Sequence, residues 1–273
     1  MRLGAKVFLQ VQCAMGRLAV FFLAPLVYLF VRLYGYRVRD VKKIRRECAR
    51  FFKSHPGPWL ICPNHLTNID SVILAYAIAP MHTYMLNFRL LPWNLPERAN
   101  FQRNFVSTTL CYLTKCIPVS RGGDREEMKR VLEKCTYLLR RRQPVLIFPE
   151  GGRSRTARIN TENHTYGVGR FVDSEKDCHV LCIYLRGDHQ DRYSNIPRFG
   201  EHFTIAVEVL IPQRTELNGL RAQRHYAEQI INRLAQMEET YFEARRQRHH
   251  GLAASACAGE EQKHPLPETH ISP

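Results

Sequence analysis

Apolar positions are distributed along this chain in three ways, and each predicts a different kind of element. From Leu18 to Val31 they are continuous, bounded by Arg17 and Arg32. A helix of that length spans about 21 Å, short of the roughly 30 Å hydrocarbon core of a bilayer. Pro25 would kink it, and extending it back to Val7 takes in Gln10, Gln12 and Arg17. The expectation is a helix embedded in one leaflet or entering at a steep tilt, with a full span as the second reading. No small-x-small cleavage site follows Val31, which argues against a signal peptide. From Tyr36 to Ser54 the apolar residues Val38, Val41, Ile44, Cys48, Phe51 and Phe52 recur at helical spacing instead. Arg37, Arg39, Lys42, Lys43, Arg45, Arg46, Arg50 and Lys53 fill the positions between. That predicts a basic amphipathic helix suited to an anionic membrane surface; the competing reading sets its apolar side on a protein core.

From residue 58 to 210 short apolar runs alternate with helical stripes. Trp59–Cys62, ended by Pro63, reads as a buried strand, and Ser71–Ala77 as a core helix with Thr67, Asn68, Asp70 and Ser71 as cap or first-turn residues. His82–Asn87 reads as a strand, Leu90–Pro96 as a proline-broken loop with an apolar surface, and Phe105–Leu113 as a short helix. Cys116–Val119, Val145–Phe148 and Val180–Leu185 read as strands, and Phe203–Leu210 alternates like a half-exposed strand near a sheet edge. Met128, Val131, Leu132, Cys135, Leu138 and Leu139 form one apolar stripe, read as ordinary core. Leu220–Arg246 reads as a long charged helix. The expected plan is an α/β domain over 55–247, with a mainly parallel mixed sheet flanked by helices. N-terminal membrane-anchoring helices occupy 1–54 and a disordered tail 248–273.

Composition changes this picture in two respects. The 273 residues carry a formal net charge of +15, which implies a polyanionic partner. No zinc-finger spacing, basic zipper or ribonucleoprotein signature is present, so nucleic acid lacks a reading element and anionic lipid is preferred. The nine cysteines are odd in number and without a Cys-x2-Cys pair. They read as reduced, mostly buried thiols on the cytosolic side, with Cys178 and Cys182 sharing a strand face for packing reasons.

Candidate chemistry gathers at the polar ends of two strands. After the first comes Asn64-His65-Leu66-Thr67-Asn68-Ile69-Asp70. Inside one helix His65 and Asp70 would stand about 140° apart. With His65 in a loop and Asp70 in the first helical turn, they can meet. An imidazole oriented by a carboxylate is the general-base half of a Ser-His-Asp triad, and a substrate hydroxyl can supply the missing nucleophile. The competing reading is an ordinary loop histidine beside a helix-start carboxylate. The second strand, Val145–Phe148, runs into Pro149-Glu150-Gly151-Gly152-Arg153-Ser154-Arg155. Between the two, Ser120-Arg121-Gly122-Gly123-Asp124 offers free backbone amides beside an arginine at a helix start, a natural phosphate site. Asp124 and Glu127 resemble a capping box there.

Asn64-His65 with Asp70, followed by Phe148-Pro149-Glu150-Gly151 with Arg153 and Ser154, resembles the motif pair of the glycerolipid acyltransferase family, which includes 1-acyl-glycerol-3-phosphate acyltransferases. The resemblance covers about residues 55–190. It implies transfer of a fatty acyl group from an acyl thioester, acyl-CoA or acyl-carrier protein, to the free hydroxyl of lysophosphatidic acid. His65 and Asp70 would be catalytic, and Arg121, Glu150, Gly151 and Arg153 would bind the glycerol-phosphate. No metal or cofactor is implied, and the catalytic domain would face the cytoplasm. Three departures stand out: no glycine and aromatic residue precede Arg121, Gly152 replaces the commoner threonine, and a proline is missing from Val180–Leu185. They leave open another lyso-lipid acceptor with an amino-acid or zwitterionic head group. A non-catalytic basic membrane-binding protein is the rival from a different class.

Overall fold

The computed structural model describes residues 1–120, 124–162, 164–175 and 177–261. In chain order the elements are α1 (Leu3–Leu33), β1 (Arg37–Val38), α2 (Val41–Ser54), β2 (Trp59–Pro63), α3 (Asp70–Ile78) and α4 (Met81–Leu86). A 3-10 turn at Phe88–Leu90 leads to β3 (Trp93–Asn94), α5 (Arg98–Phe101) and α6 (Phe105–Leu113). Then follow α7 (Arg125–Arg140), β4 (Val145–Leu146), α8 (Gly167–Ser174), β5 (His179–Gly187), β6 (His202–Leu210) and α9 (Leu220–Glu261). Contacts group the chain into two units, Met1–Ala235 and Gln236–Pro273, and the elements that build the sheet and the site lie in the first. Residues 248–261, assigned to the tail from sequence, are drawn into α9, and 262–273 lie outside the described residues.

The described strands form one six-stranded sheet in the order β1-β6-β5-β2-β4-β3. Every pairing is parallel except β5 with β6, so the sheet is mixed and mostly parallel, flanked by helices, as the alternation of patterns implied. β2 and β5 are buried along nearly their whole length, which is why they read as unbroken apolar runs rather than alternating ones. Ile61 lies opposite Leu181, and with Leu146, Ile183 and Leu185 these side chains join α1, α2, α3 and α4 in one core. Leu60, Val180, Cys182 and Tyr184 alternate onto the other face and are equally buried, so both faces are covered.

The N-terminal segment is built into the domain rather than merely preceding it. Along α1, Leu9, Gln12, Gly16, Val20, Ala24 and Val31 form a buried stripe facing α3, α4 and α6. Gln12 fits there because its Nε2 donates to the carbonyls of Tyr112 (3.0 Å) and Cys116 (2.9 Å). On the opposite face Leu18, Phe22, Leu26, Leu29 and Leu33 are exposed, and Phe105, Val106 and Leu110 of α6 are exposed as well. α1, with 31 residues, is long and apolar enough to cross a membrane.

Several local expectations need correcting. His82–Asn87 belongs not to a strand but mainly to α4; six residues are too few for periodicity to separate the two, and packing decides, with the Tyr84 hydroxyl donating to the Ala75 carbonyl at 2.8 Å. Within Leu90–Pro96, Trp93–Asn94 is the short strand β3 with Trp93 fully buried, so the stretch packs into the domain and does not present an apolar surface at Trp93. Lys115, itself buried, donates to the carbonyls of Phe88 and Leu91, both at 2.9 Å, and fastens that stretch down. Within Tyr36–Ser54, Arg37–Val38 is the edge strand β1, and only Val41–Ser54 is helical. The apolar side of α2 enters the core through Ile44 and Cys48, which leaves its basic side outward. Asp124 does cap α7, but Glu127 completes no box, because its carboxylate pairs with Arg98 at 2.6 Å.

Candidate active site

The site is built where β2 and β4, adjacent and parallel, both end. Pro63 closes β2, and Asn64 continues the pairing with its side chain: Nδ2 donates to the Leu185 carbonyl (3.0 Å) and Oδ1 accepts from the Leu185 amide (2.7 Å). This fixes where the loop leaves the sheet. His65 follows, and its backbone is held by the other motif. Its amide donates to Glu150 Oε1 at 2.8 Å, and its carbonyl accepts from the Ser154 amide at 2.9 Å. Glu150, expected from the family resemblance to bind substrate, therefore braces the base-bearing loop from below.

Asp70 opens α3 and turns its carboxylate back over the loop. It accepts from the amides of Leu66 (2.6 Å) and Thr67 (2.8 Å), from the Thr67 hydroxyl (2.5 Å) and from His65 Nδ1 (3.0 Å). All four are donors into one carboxylate that is 1% exposed. Because Asp70 accepts, Nδ1 of His65 carries its proton toward the carboxylate, and the Nε2 lone pair faces away from it. The imidazole stacks on Phe148, with centroids 3.9 Å apart and planes 19° from parallel. Two contacts on different sides of the ring thus set its orientation, and its position is consistent with a base presented to the open side.

That side is a cavity of about 520 Å³. Its lining is part apolar, with Leu95, Pro96, Val119, Met128, Val131 and Leu132, and part polar, with His65, Asn68, Glu97, Arg153, Arg155 and Tyr193. The helical stripe of α7, read from sequence as ordinary core, is therefore divided. Cys135, Leu138 and Leu139 are buried, while Met128 and Leu132 face the cavity.

Gly151 has φ of +68°, a left-handed conformation, and a Cβ there would collide with Thr165 Cγ2. Thr165 is held in that position by its amide and hydroxyl, which both donate to the Pro149 carbonyl at 3.1 Å. The glycine lets the chain turn from β4 toward Arg153. Ser154 serves the loop itself, donating to the Arg158 carbonyl at 2.6 Å. Arg186, buried in β5, donates to the Ala157 carbonyl from behind.

The structure thus places His65, Gly151 and Arg153 on the cavity, with Asp70 and Glu150 holding His65 from within the protein. Arg121 lies outside the described residues. Sequence reasoning passed over Phe148 as a ring support, Asn68 as a lining residue, and the segment between β5 and β6, which brings Tyr193 and Asn195 to Arg153. The only available signal was that a long polar connection after a buried strand is where binding residues concentrate.

Comparison with curated proteins gives no significant match. A family model described as "Acyltransferase" matches residues 21–186, more than half of the chain and inclusive of both motif loops, β2, β4 and most of β5. The match takes in the elements that carry His65, Asp70, Glu150, Gly151 and Arg153, and stops before the connection that brings Tyr193 and Asn195. The chain belongs to the acyltransferase family, which includes 1-acylglycerol-3-phosphate acyltransferases.

Proposed function

We propose that this acyltransferase moves a fatty acyl group from an acyl thioester, acyl-CoA or acyl-carrier protein, to the free hydroxyl of lysophosphatidic acid, giving phosphatidic acid for phospholipid biosynthesis. The observation that carries the reading is the pairing of His65 Nδ1 with buried Asp70 beside a cavity lined both by Arg153 and by a set of apolar side chains. In this mechanism His65 Nε2 takes the acceptor's hydroxyl proton as the oxygen attacks the thioester carbonyl carbon. The C–S bond then breaks, and the proton passes to the leaving thiolate. Asp70 keeps the imidazole in the competent tautomer and favours its cation as charge develops. Arg153, together with Arg121, holds the acceptor phosphate so that the hydroxyl rests against the base. Met128, Val131 and Leu132 offer a surface for an acyl chain.

Membrane association accompanies this chemistry. The exposed stripe Leu18, Phe22, Leu26, Leu29 and Leu33 of α1 lies in one leaflet while its other face stays on the domain, and Lys42, Lys43, Arg46 and Arg50 of α2 meet anionic head groups on the cytoplasmic side. A second reading, another lyso-lipid as acceptor, is favoured by the absent proline in Val180–Leu185 and the atypical residues before Arg121. The test is a thiol-release assay with the purified full-length protein, both thioester donors, and a panel of lysolipids with and without a terminal phosphate. The reading requires that lysophosphatidic acid have the highest specificity constant; a preference for a phosphate-free acceptor would move the second reading to first place.

A further inference from the structure

Between β5 and β6 the chain makes a long connection that belongs to no motif, yet it touches both motif loops. Asn195 is the point of contact. Its carbonyl accepts from the Asn68 amide at 3.0 Å, and its Oδ1 accepts from Arg153 Nη1 at 2.8 Å and from Asn68 Nδ2 at 3.4 Å. Two residues earlier, Tyr193 places its ring 4.6 Å from the guanidinium of Arg153 and lines the same cavity as His65.

These contacts do something specific to Arg153. An arginine at a cavity mouth has several rotatable bonds and would sample many positions. Here one N–H is pinned by an amide oxygen and one face of the planar fork lies over a ring, which leaves the remaining donors for a ligand. Among the described residues no carboxylate pairs with Arg153. A neutral asparagine therefore orients the guanidinium without cancelling its charge, as an aspartate in its place would. The same residue ties down Asn68, on the loop between His65 and Asp70, so Asn195 links the guanidinium to that loop beside the backbone bond from Ser154 to His65.

We infer that Asn195 and Tyr193 are positioning and specificity-determining residues. They fix the fork of Arg153 at a set distance from His65, and so select acceptors whose phosphate stands at the matching distance from the reacting hydroxyl. This rests on the reading that Arg153 binds an acceptor phosphate.

The test uses full-length protein in detergent micelles, with lysophosphatidic acid as acceptor and acyl-CoA as donor. Wild type is compared with Arg153→Ala, Asn195→Ala, Asn195→Asp, Tyr193→Ala and the double variant Asn195→Ala/Arg153→Ala, each checked by thermal melting. Asn195→Ala is expected to raise the KM for lysophosphatidic acid about threefold to tenfold, the scale of one hydrogen bond to a charged group. The donor KM, kcat and melting temperature should change little. Tyr193→Ala should raise the same KM by a smaller factor. Asn195→Asp should not restore it, although it keeps the oxygen acceptor, because it neutralises the guanidinium. The double variant should be no worse than Arg153→Ala alone, since a positioning residue has nothing left to position. Multiplicative losses in the double variant, rescue by Asn195→Asp, or an equal rise in donor KM would overturn the inference and leave the phosphate reading intact. An Arg153→Ala enzyme with unchanged KM for lysophosphatidic acid, or no turnover of that acceptor by wild type, would overturn both.

Discussion

The two ends of the cavity's polar lining, the imidazole with its carboxylate and the guanidinium, are built to different standards. At one end Asp70 is buried and receives four hydrogen bonds, three of them from the loop that carries His65 or its immediate neighbours and one from the imidazole itself. The backbone of His65 is held on both sides by the Glu150–Ser154 turn, and its ring by Phe148. At the other end Arg153 is half-buried and, among the described residues, kept in place by one hydrogen bond and one ring contact, both from an exposed connection. The contrast follows from what each end would have to do. A base must be oriented before the reaction, because misplacement by an ångström is costly in rate. A cationic group that receives a mobile lipid head group needs direction but also access. The difference predicts that substitutions at the first end act on turnover and stability, and those at the second on acceptor binding.

The largest effect is expected from His65→Ala. Removing the base should lower kcat by roughly 10²–10⁴-fold, the usual worth of general-base catalysis, with the melting temperature nearly unchanged. Retention of more than about a tenth of the wild-type rate would remove His65 from the mechanism and dissolve the comparison. Asp70→Asn should come next and should hurt in two ways. One side-chain oxygen becomes a donor facing other donors, so buried N–H groups lose their acceptor at roughly 1–3 kcal/mol. A calorimetric scan should show the transition several degrees lower, and steady-state kinetics a loss in kcat smaller than that of His65→Ala. An Asp70→Asn protein that melts like wild type would mean that the loop does not depend on this carboxylate.

Arg153→Lys probes the other end. Charge is kept but the two-pronged donor set is lost, so the KM for a phosphate-bearing acceptor should rise about tenfold while kcat holds. Equal losses on phosphate-free acceptors would place the arginine in the fold or on the donor. Thr67→Val should have the smallest effect. It removes the hydroxyl donor to Asp70 Oδ1 but leaves the Thr67 amide bond, and should cost about 1 kcal/mol in a denaturant titration, with a change in kcat of only a few-fold. If Thr67→Val lowered kcat as much as Asp70→Asn, the hydroxyl and not the whole network would be what orients His65.

What the sequence by itself determined about this protein is local. His65 and Asp70 stand only five positions apart on one strand-loop-helix, and the apolar run before them, the proline and the helix-start residues together leave little choice of geometry. The stripe of α7, the strand β5 and the continuous apolar character of α1 were legible for the same reason, because periodicity states whether a residue is to be buried. Periodicity does not state what the residue is buried against. Hence the apolar side of α2 could be assigned to a membrane surface when it meets the protein core, and Met128 and Leu132 could be read as plain core when they line the cavity. His82–Asn87 was too short to show its period, and Trp93 was judged by its proline neighbours when burial in the sheet decides its place. Tertiary structure alone made the pairing of β2 with β4, which sets Glu150 under His65 across 85 residues of chain. It also brought Asn195 to Arg153 across 42 residues and to Asn68 across 127. Such contacts depend on strand order and on where a connection crosses the sheet's end, and no window of sequence contains both partners.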